Sequence, residues 1–444
     1  MKRFLVFVLV LFLPFYSAHA DELSDKIEEI LSFHIEKEYN VGAVVGVLEG
    51  GKTDVWAQGT VKLGESIPPN DQTIFEIGSI SKVFTGILLA DLVLDGVVSF
   101  DDPISKFVPE LESAKTGSIT LLELSTHTSG LPRIPTNFSP ANPKDPYADY
   151  TEEKLLEFLK DHPLGDHPIP FSWDNYSNVG VGLLGYALTR ATGLRYEELL
   201  YNRITEPLGM MDTVVSLNPD QTSRFATPYN GFLEEILPWN INVLVGAGGI
   251  RSTATDLLKF AQANLEPQKT LIASALELAQ QVHKQNGKDR IGLGWGIWDK
   301  ENFVIHGHGG ATGGFLSYIG FDLNRKVALV YLTNTFSQLT CLKEVALYGK
   351  ECTTELEADV PEKILEEYVG TYKEPSGIEI IITRRKKYLI YEIVGQEKNR
   401  MKALSNSSFD IFGKATIEFV RGEDGNVTHF ILKQGSYTGK FERL

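Results

Sequence analysis

Apolar residues come in runs whose lengths and spacing predict strands and helices in alternation. Val41 to Leu48 (VGAVVGVL) is strand-like. The Glu49-Gly50-Gly51-Lys52 turn and a second strand pattern near Asp54 to Gln58 follow, which together predict a β-hairpin. Val83 to Leu94 is apolar on nearly every side, the pattern of a buried helix rather than an amphipathic one. Ile104 to Pro132 contains a short helical stretch at Leu121 to Ser125 and then a polar turn, and Pro132 to Pro146 reads as a surface loop. Helical patterns return at Glu152 to Lys160, Val179 to Ala191 and Ala254 to Ala263. Gly292 to Trp298 and Phe315 to Leu332 are strand-like and rich in aromatics. Strands at both ends of a mixed segment predict an α/β layout with its first and last segments paired in one sheet.

The register changes after about residue 352. Thr353 to Lys363 is acidic and polar, a plausible linker. Beyond it, short strand patterns at Ile378 to Thr383, Tyr388 to Val394, Thr416 to Val420 and His429 to Leu432 alternate with turns, which suggests a small antiparallel barrel or sandwich. The expected organisation is therefore a leader at 1–20, a first domain at 21–352, a linker at 353–363 and a β-domain at 364–444.

Lys2 and Arg3, the apolar run Phe4 to Phe15 and the Ala18-His19-Ala20 site read as a secretory signal peptide cleaved after Ala20, so a periplasmic or secreted protein is expected. No later stretch reaches 18 apolar residues, so no transmembrane span is expected in the mature chain. Without the leader, 40 basic residues face 58 acidic ones, a balance that argues against nucleic acid or anionic lipid as partner. The two cysteines, Cys341 and Cys352, allow one intramolecular bridge, and their spacing leaves open whether it forms. If Leu342 to Tyr348 is helical, a bridge requires the chain to turn back after Gly349.

The candidate chemistry lies in three clusters. Ser79 precedes Lys82 by three residues where a helix is expected to begin, so the two side chains share a helical face about 5–6 Å apart at Cβ. A buried lysine loses its proton more readily and becomes a base at neutral pH. Tyr176-Ser177-Asn178 offers a phenol for proton transfer and an amide that can donate to a substrate carbonyl and accept from Lys82; a buried structural tyrosine and an N-capping asparagine explain the same residues. Ile305 to Phe315 (IHGHGGATGGF) is dense in glycine, which implies close approach of its backbone to something else, a substrate along a strand edge being one possibility. His306 and His308 lack a third nearby ligand, so no metal is expected.

Ser79-x-x-Lys82, Tyr176-x-Asn178 and His308-x-Gly310, in that order, resemble the motifs of the class C β-lactamase and penicillin-binding serine-hydrolase family. Ile119 to Pro132, Thr205 to Thr213 and Gly246 to Phe260 look like further landmarks of that family, and the resemblance covers roughly residues 35–350. It implies an antiparallel sheet flanked by helices, plus an all-helical region. The C-terminal segment resembles the lipocalin-like barrel that some of these hydrolases carry. The implied activity is cofactor-free acyl transfer on a small peptide or β-lactam. Ser79 would be the nucleophile, Lys82 and Tyr176 would share proton transfer, Asn178, His308 and Gly310 would bind substrate, and the N–H groups of Ser79 and Ala311 would hold the oxyanion. A D-alanyl-D-alanine carboxypeptidase or endopeptidase is expected first. A β-lactamase, an esterase or a penicillin-binding protein that acylates and stalls are the alternatives.

One departure stands out. The class C pattern begins its third motif with lysine, and here that position is His308. A histidine that titrates near pH 6–7 holds a substrate carboxylate only when protonated. Arg251 is one replacement for the missing charge, although an arginine in a turn after glycines more often serves the loop. His127 reads as a structural hydrogen-bonder, and Trp295 as a residue of either the core or the site.

Overall fold

The computed structural model describes residues 13–300, 302–339, 341–352, 357–394, 398–411, 415–435 and 437–444, so most of the expected leader and part of the expected linker lie outside the described residues. The chain divides after Glu351 into two compact units. The strands of the first are β1 (Gly42–Glu49), β2 (Lys52–Gly59), β3 (Phe75–Glu76), β4 (Arg251–Ser252), β5 (Lys284–Asn286), β6 (Asp289–Ile291), β7 (Gly296–Lys300), β8 (Phe303–Ala311), β9 (Leu316–Asp322) and β10 (Val327–Thr333). Its helices are α1 (Leu13–Glu36), α2 (Ser81–Leu94), α3 (Leu121–Ser125), α4 (Glu152–Asp161), α5 (Asn178–Thr192), α6 (Tyr196–Leu200), α7 (Pro219–Ser223), α8 (Ala254–Leu265) and α9 (Ala273–Gln280).

Eight strands form one antiparallel sheet in the order β2-β1-β10-β9-β8-β7-β6-β5, with Ala43 opposite Thr333 and Val45 opposite Tyr331. The first and last segments of the unit are thus neighbours, as the hydrophobic pattern predicts. Successive side chains point to opposite faces, and both faces here are covered. On the face that carries Ala43 and Val45, α1 meets β2 through Trp56 Nε1 to Ser24 Oγ (2.9 Å) and Gln58 Nε2 to Ser32 Oγ (3.0 Å). On the other face Gly46 leaves room for Leu258 of α8, which a Cβ would approach to 2.7 Å. Helix α1 was not among the expected elements, although Ile27, Ile30, Leu31 and His34 mark a helical stripe and are all buried.

Helix α2 is enclosed on nearly all sides: Val83, Phe84, Ile87 and Leu88 are fully buried, each worth about 1.5–3 kcal/mol of transfer free energy. Phe84 stacks on Phe260 of α8 at 4.4 Å between centroids. The α-helix starts at Ser81 rather than at Ser79, because residues Gly78–Ile80 form a tighter 3-10 turn entered through Gly78 at φ +48°. Two strand expectations also shift. Gly292–Trp295 is a turn closed by the Gly292 N–H on the Trp295 carbonyl, and β7 begins only at Gly296. Phe315–Leu332 divides into β9 and β10 where Asp322 Oδ1 accepts the N–H groups of Asn324 and Arg325.

Cys341 and Cys352 are disulfide-bonded. Between them Lys343–Leu347 is a wide helical turn, and Gly349, at φ +59°, reverses the chain.

The second unit comprises α10 (Glu362–Glu367) and the strands β11 (Gly370–Lys373), β12 (Glu379–Arg385), β13 (Tyr388–Ile393), β14 (Lys398–Arg400), β15 (Lys402–Ala403), β16 (Ser408–Ile411), β17 (Ala415–Arg421), β18 (Val427–Gln434) and β19 (Tyr437–Arg443). They form a nearly closed antiparallel barrel in the order β14-β13-β12-β11-β19-β18-β17-β16-β15, whose end strands are joined through Met401. Alternation along β17 sends Ala415, Ile417 and Phe419 inward with Tyr372, Ile382 and Phe430, while Glu418 faces out. Val360 and Leu365 belong to the same core, so ordered packing begins inside the span read as linker.

Candidate active site

Ser79 is half-buried in a stretch, Thr73 to Ile80, that is otherwise buried. Lys82 lies in the first turn of α2 and is 1% exposed. Its Nζ is 3.0 Å from Ser79 Oγ and 2.6 Å from the Ala247 carbonyl. Burial holds the amine well below the usual lysine range, and the charge of Arg133 adds to the effect. An uncharged amine can donate one N–H to the Ala247 carbonyl and turn its lone pair to the Ser79 hydroxyl.

Tyr176 and Asn178 flank the N-terminus of α5. The cap is Ser177, not Asn178: the Ser177 side chain accepts the Gly180 N–H at 2.8 Å. Lys82 Nζ lies 4.8 Å from the centroid of the Tyr176 ring, and the Ser79 side chain lies close enough to act on the Tyr176 phenol. Burial pushes this phenol up, so it stays protonated at neutral pH. Asn178 departs from expectation. Among the described residues its Oδ1 has no hydrogen-bond partner, and the hydrogen-bond partners of Lys82 Nζ are Ser79 Oγ and the Ala247 carbonyl.

The glycine-rich segment is the end of β8. Pairing with β7 stops at Gly307, which leaves the rest of that strand edge open. A Cβ on Gly310 would lie 2.0 Å from the Ile77 carbonyl oxygen, and one on Gly78 would lie 2.6 Å from the Ala311 nitrogen. The close approach read from the glycines is therefore to the chain's own Ser79 turn, and Ser317 Oγ donates to the same Ile77 carbonyl at 2.9 Å. The Thr312 N–H bonds to the Phe315 carbonyl at 3.1 Å. In an antiparallel ladder hydrogen-bonded pairs alternate with open ones. The adjoining Ala311–Leu316 pair is thus an open one, and the Ala311 N–H points away from β9, toward Gly78.

His308 is buried, with Nδ1 2.6 Å from the Gly309 carbonyl and its ring 6.1 Å from that of Tyr176. A carbonyl only accepts, so Nδ1 carries the proton. Burial lowers the imidazole to about 4, with the Lys82 charge acting the same way. His308 is therefore uncharged at neutral pH and does not titrate at the pH 6–7 of a free histidine.

Both terminal nitrogens of Arg251 are engaged within the fold, while its buried Nε has no partner among the described residues. It bonds to the Val215 carbonyl (2.5 Å), the Trp239 carbonyl (3.0 Å) and the buried Glu76 (3.4 Å). Burial raises Glu76 to about 7 against the opposing pull of Arg251. His127, buried at φ +57°, accepts the Ser177 N–H at 3.2 Å and packs its ring 4.5 Å from Tyr176. Trp295 is a core residue between Phe260 and Phe321. His306 stacks on Phe321 with its Nε2 3.3 Å from the Gln280 carbonyl.

Three contributors escaped the sequence reading. Glu76 left a signal, a carboxylate inside an otherwise apolar strand. Arg133 directly follows the Gly130-Leu131-Pro132 turn, and its Cζ sits 5.0 Å from the Tyr176 ring centroid. The Ala247 carbonyl left none, because a backbone oxygen has no identity in a sequence.

The β-lactamase family model matches residues 31–348, and the chain belongs to that family. Residues 355–443 match a second model described as a domain of unknown function, DUF3471. Among known proteins, the chain is 30% identical to the D-alanyl-D-alanine-carboxypeptidase/endopeptidase AmpH of Escherichia coli (strain K12), over 72% of this chain and 86% of that protein. It is 28% identical to a β-lactamase of the same organism, over 71% of this chain and 90% of that one. It is 26% identical to penicillin-binding protein 4* of Bacillus subtilis (strain 168), over 85% and 89% respectively. At the family level the chain is a serine hydrolase.

Proposed function

We propose that this chain is an exported penicillin-binding serine hydrolase of the D-alanyl-D-alanine carboxypeptidase/endopeptidase type, working through an acyl-enzyme on Ser79. The carrying observation is the buried Lys82 amine, depressed in pKa and 3.0 Å from the half-buried Ser79 hydroxyl. Ser79 Oγ attacks the carbonyl carbon while Lys82 Nζ takes its proton. The proton taken by Lys82 reaches the departing amine through Tyr176, which is held protonated, donates its own proton and is recharged from Lys82. The N–H groups of Ser79 and Ala311 hold the oxyanion, each such donor worth about 3 kcal/mol in comparable sites. Asn178, half-buried at the start of α5, donates to a substrate carbonyl. Water then hydrolyses the ester and releases the acid. Export rests on the leader pattern and is checked by the mass of the mature N-terminus, expected at Asp21.

The ranking of peptidase above β-lactamase is supported by the uncharged His308 at the position of the class C lysine, and by the similarity to the carboxypeptidase/endopeptidase. The test is incubation of purified protein with a peptide ending in D-alanyl-D-alanine and with a chromogenic cephalosporin, followed by mass spectrometry. Peptide cleavage supports the proposal. Sustained cephalosporin turnover alone makes the protein a β-lactamase, and one stable adduct makes it a penicillin-binding protein that stalls.

A further inference from the structure

A carboxypeptidase substrate ends in a carboxylate, and so does a penicillin. The site as described offers few cations to meet it. Lys82 is buried, depressed in pKa and committed to Ser79 and the Ala247 carbonyl. His308 is uncharged, with its N–H spent on Gly309. Arg251 is locked against Glu76 and two carbonyls.

Arg133 is different. It is exposed, and among the described residues it has no ion-pair partner, while its Cζ lies 5.0 Å from the Tyr176 ring on which Lys82 also rests. Its backbone is anchored there. The Arg133 carbonyl accepts the Asn178 N–H at 3.1 Å, and the neighbouring Pro132 carbonyl accepts the Ser177 hydroxyl at 2.7 Å. The start of the surface loop is thus tied to the segment that carries Tyr176 and Asn178, which keeps a long cationic side chain at the rim of the site. A guanidinium presents paired N–H donors that match the two oxygens of a carboxylate.

We infer that Arg133 is the residue that recognises the free carboxylate of the acyl donor, supplying from the loop the charge absent at His308. The inference rests on the proposal that acyl donors are seated at Ser79. It names carboxylate chemistry shared by a peptide C-terminus and a β-lactam acid, and two substrate pairs separate those sources. The full-length protein is used throughout.

Binding is measured in the Ser79→Ala background by calorimetry, with an acylated D-alanyl-D-alanine against its C-terminal amide, and with a cephalosporin against its methyl ester. The acid is expected to bind at least tenfold more tightly than its neutral partner, the low end for a charge-assisted hydrogen bond. Arg133→Gln should abolish that ratio and Arg133→Lys should retain part of it. A response in one pair only identifies the carboxylate that Arg133 serves. Acid-to-neutral ratios unchanged by Arg133→Gln in both pairs overturn the inference.

In the active protein, Arg133→Gln should raise KM for the acids with kcat little changed. A fall in kcat shared equally by acids and neutral compounds would instead assign Arg133 to electrostatic tuning of Lys82 and Tyr176, and would also overturn it. Failure of the Ser79 reading is a separate result, seen as turnover that survives Ser79→Ala.

Discussion

A serine whose hydroxyl faces a buried amine of depressed pKa at 3.0 Å should be the only side chain that a penicillin acylates. Ser79→Ala is expected to abolish labelling by fluorescent penicillin with the melting temperature intact; labelling that persists at an unchanged melting temperature places the nucleophile elsewhere. Lys82→Ala and Tyr176→Phe should each slow acylation by about 10²–10⁴, the usual range for a positioned acid or base. Because the two act as one relay, the double variant should be no worse than roughly the poorer single, and multiplicative losses count against a shared relay. His308 carries a prediction in the opposite direction. His308→Lys should raise activity on carboxylate-bearing β-lactams relative to uncharged esters about tenfold or more. In the wild type that ratio should stay flat between pH 8 and 5 and rise only as pH approaches the depressed value of about 4. The same depression has a cost in stability. Above the free-histidine value of 6.5 both states are neutral and nothing is lost. As pH falls below it the unfolded chain takes up a proton that the folded one refuses. Stability declines by something on the order of 3 kcal/mol until about pH 4, where the loss levels off. Urea unfolding of wild type and His308→Gln across that range should show the difference.

At the scale of elements, the open end of β8 and the turn Gly78–Ile80 act as one backbone unit, held at a separation that admits no side chain. Gly310→Ala would drive a Cβ to 2.0 Å from the Ile77 carbonyl and 2.3 Å from Ser317 Oγ. Neither atom can give way easily, so a loss of about 1–3 kcal/mol is expected, as for an overpacked core. Acylation should fall with it as the Ala311 N–H is displaced. Gly309→Ala is the control: its nearest neighbour would be the Ser317 carbonyl oxygen at 3.8 Å, and both stability and acylation should be close to wild type. If Gly310→Ala acylates normally, the strand does not set the oxyanion geometry. The two-residue ladder of β3 and β4, with Phe75 opposite Ser252 and Glu76 opposite Arg251, buttresses the turn from the other side. Glu76, raised to about 7, costs folding stability progressively as pH rises from the ordinary carboxyl value of 4.5 toward 7, because the unfolded chain ionises first. Glu76→Gln should remove that slope in the same unfolding series.

At the scale of the molecule, each unit has its own hydrophobic core, and the three motifs lie within the first. Deleting residues 361–444 should therefore leave a protein that still reacts with penicillin. A truncated chain that is folded by circular dichroism yet inert would make the C-terminal barrel part of the active site. Much of the fold was legible in the sequence because burial leaves periodic marks. The β1–β2 hairpin, the largely apolar α2, the short α3 and the alternating strands of the barrel follow from patterns of 2 and 3.6 residues. Ser79 and Lys82 were legible for the same reason, since residues three apart on one helical turn meet whatever surrounds them. What the pattern could not supply were contacts between distant segments. The Ala247 carbonyl on Lys82, the Ile77 carbonyl against Gly310, the engagement of Arg251 by Glu76 and the placement of Arg133 over Tyr176 all depend on chain crossings set by the sheet order. So does the charge of His308: the residue is written in the sequence, but its neutrality comes from the walls that the tertiary fold builds around it. The sequence by itself determined which chemical groups are present and which local elements carry them. Only the folded structure decided which of those groups are dry, which are already paired, and which remain available to a substrate.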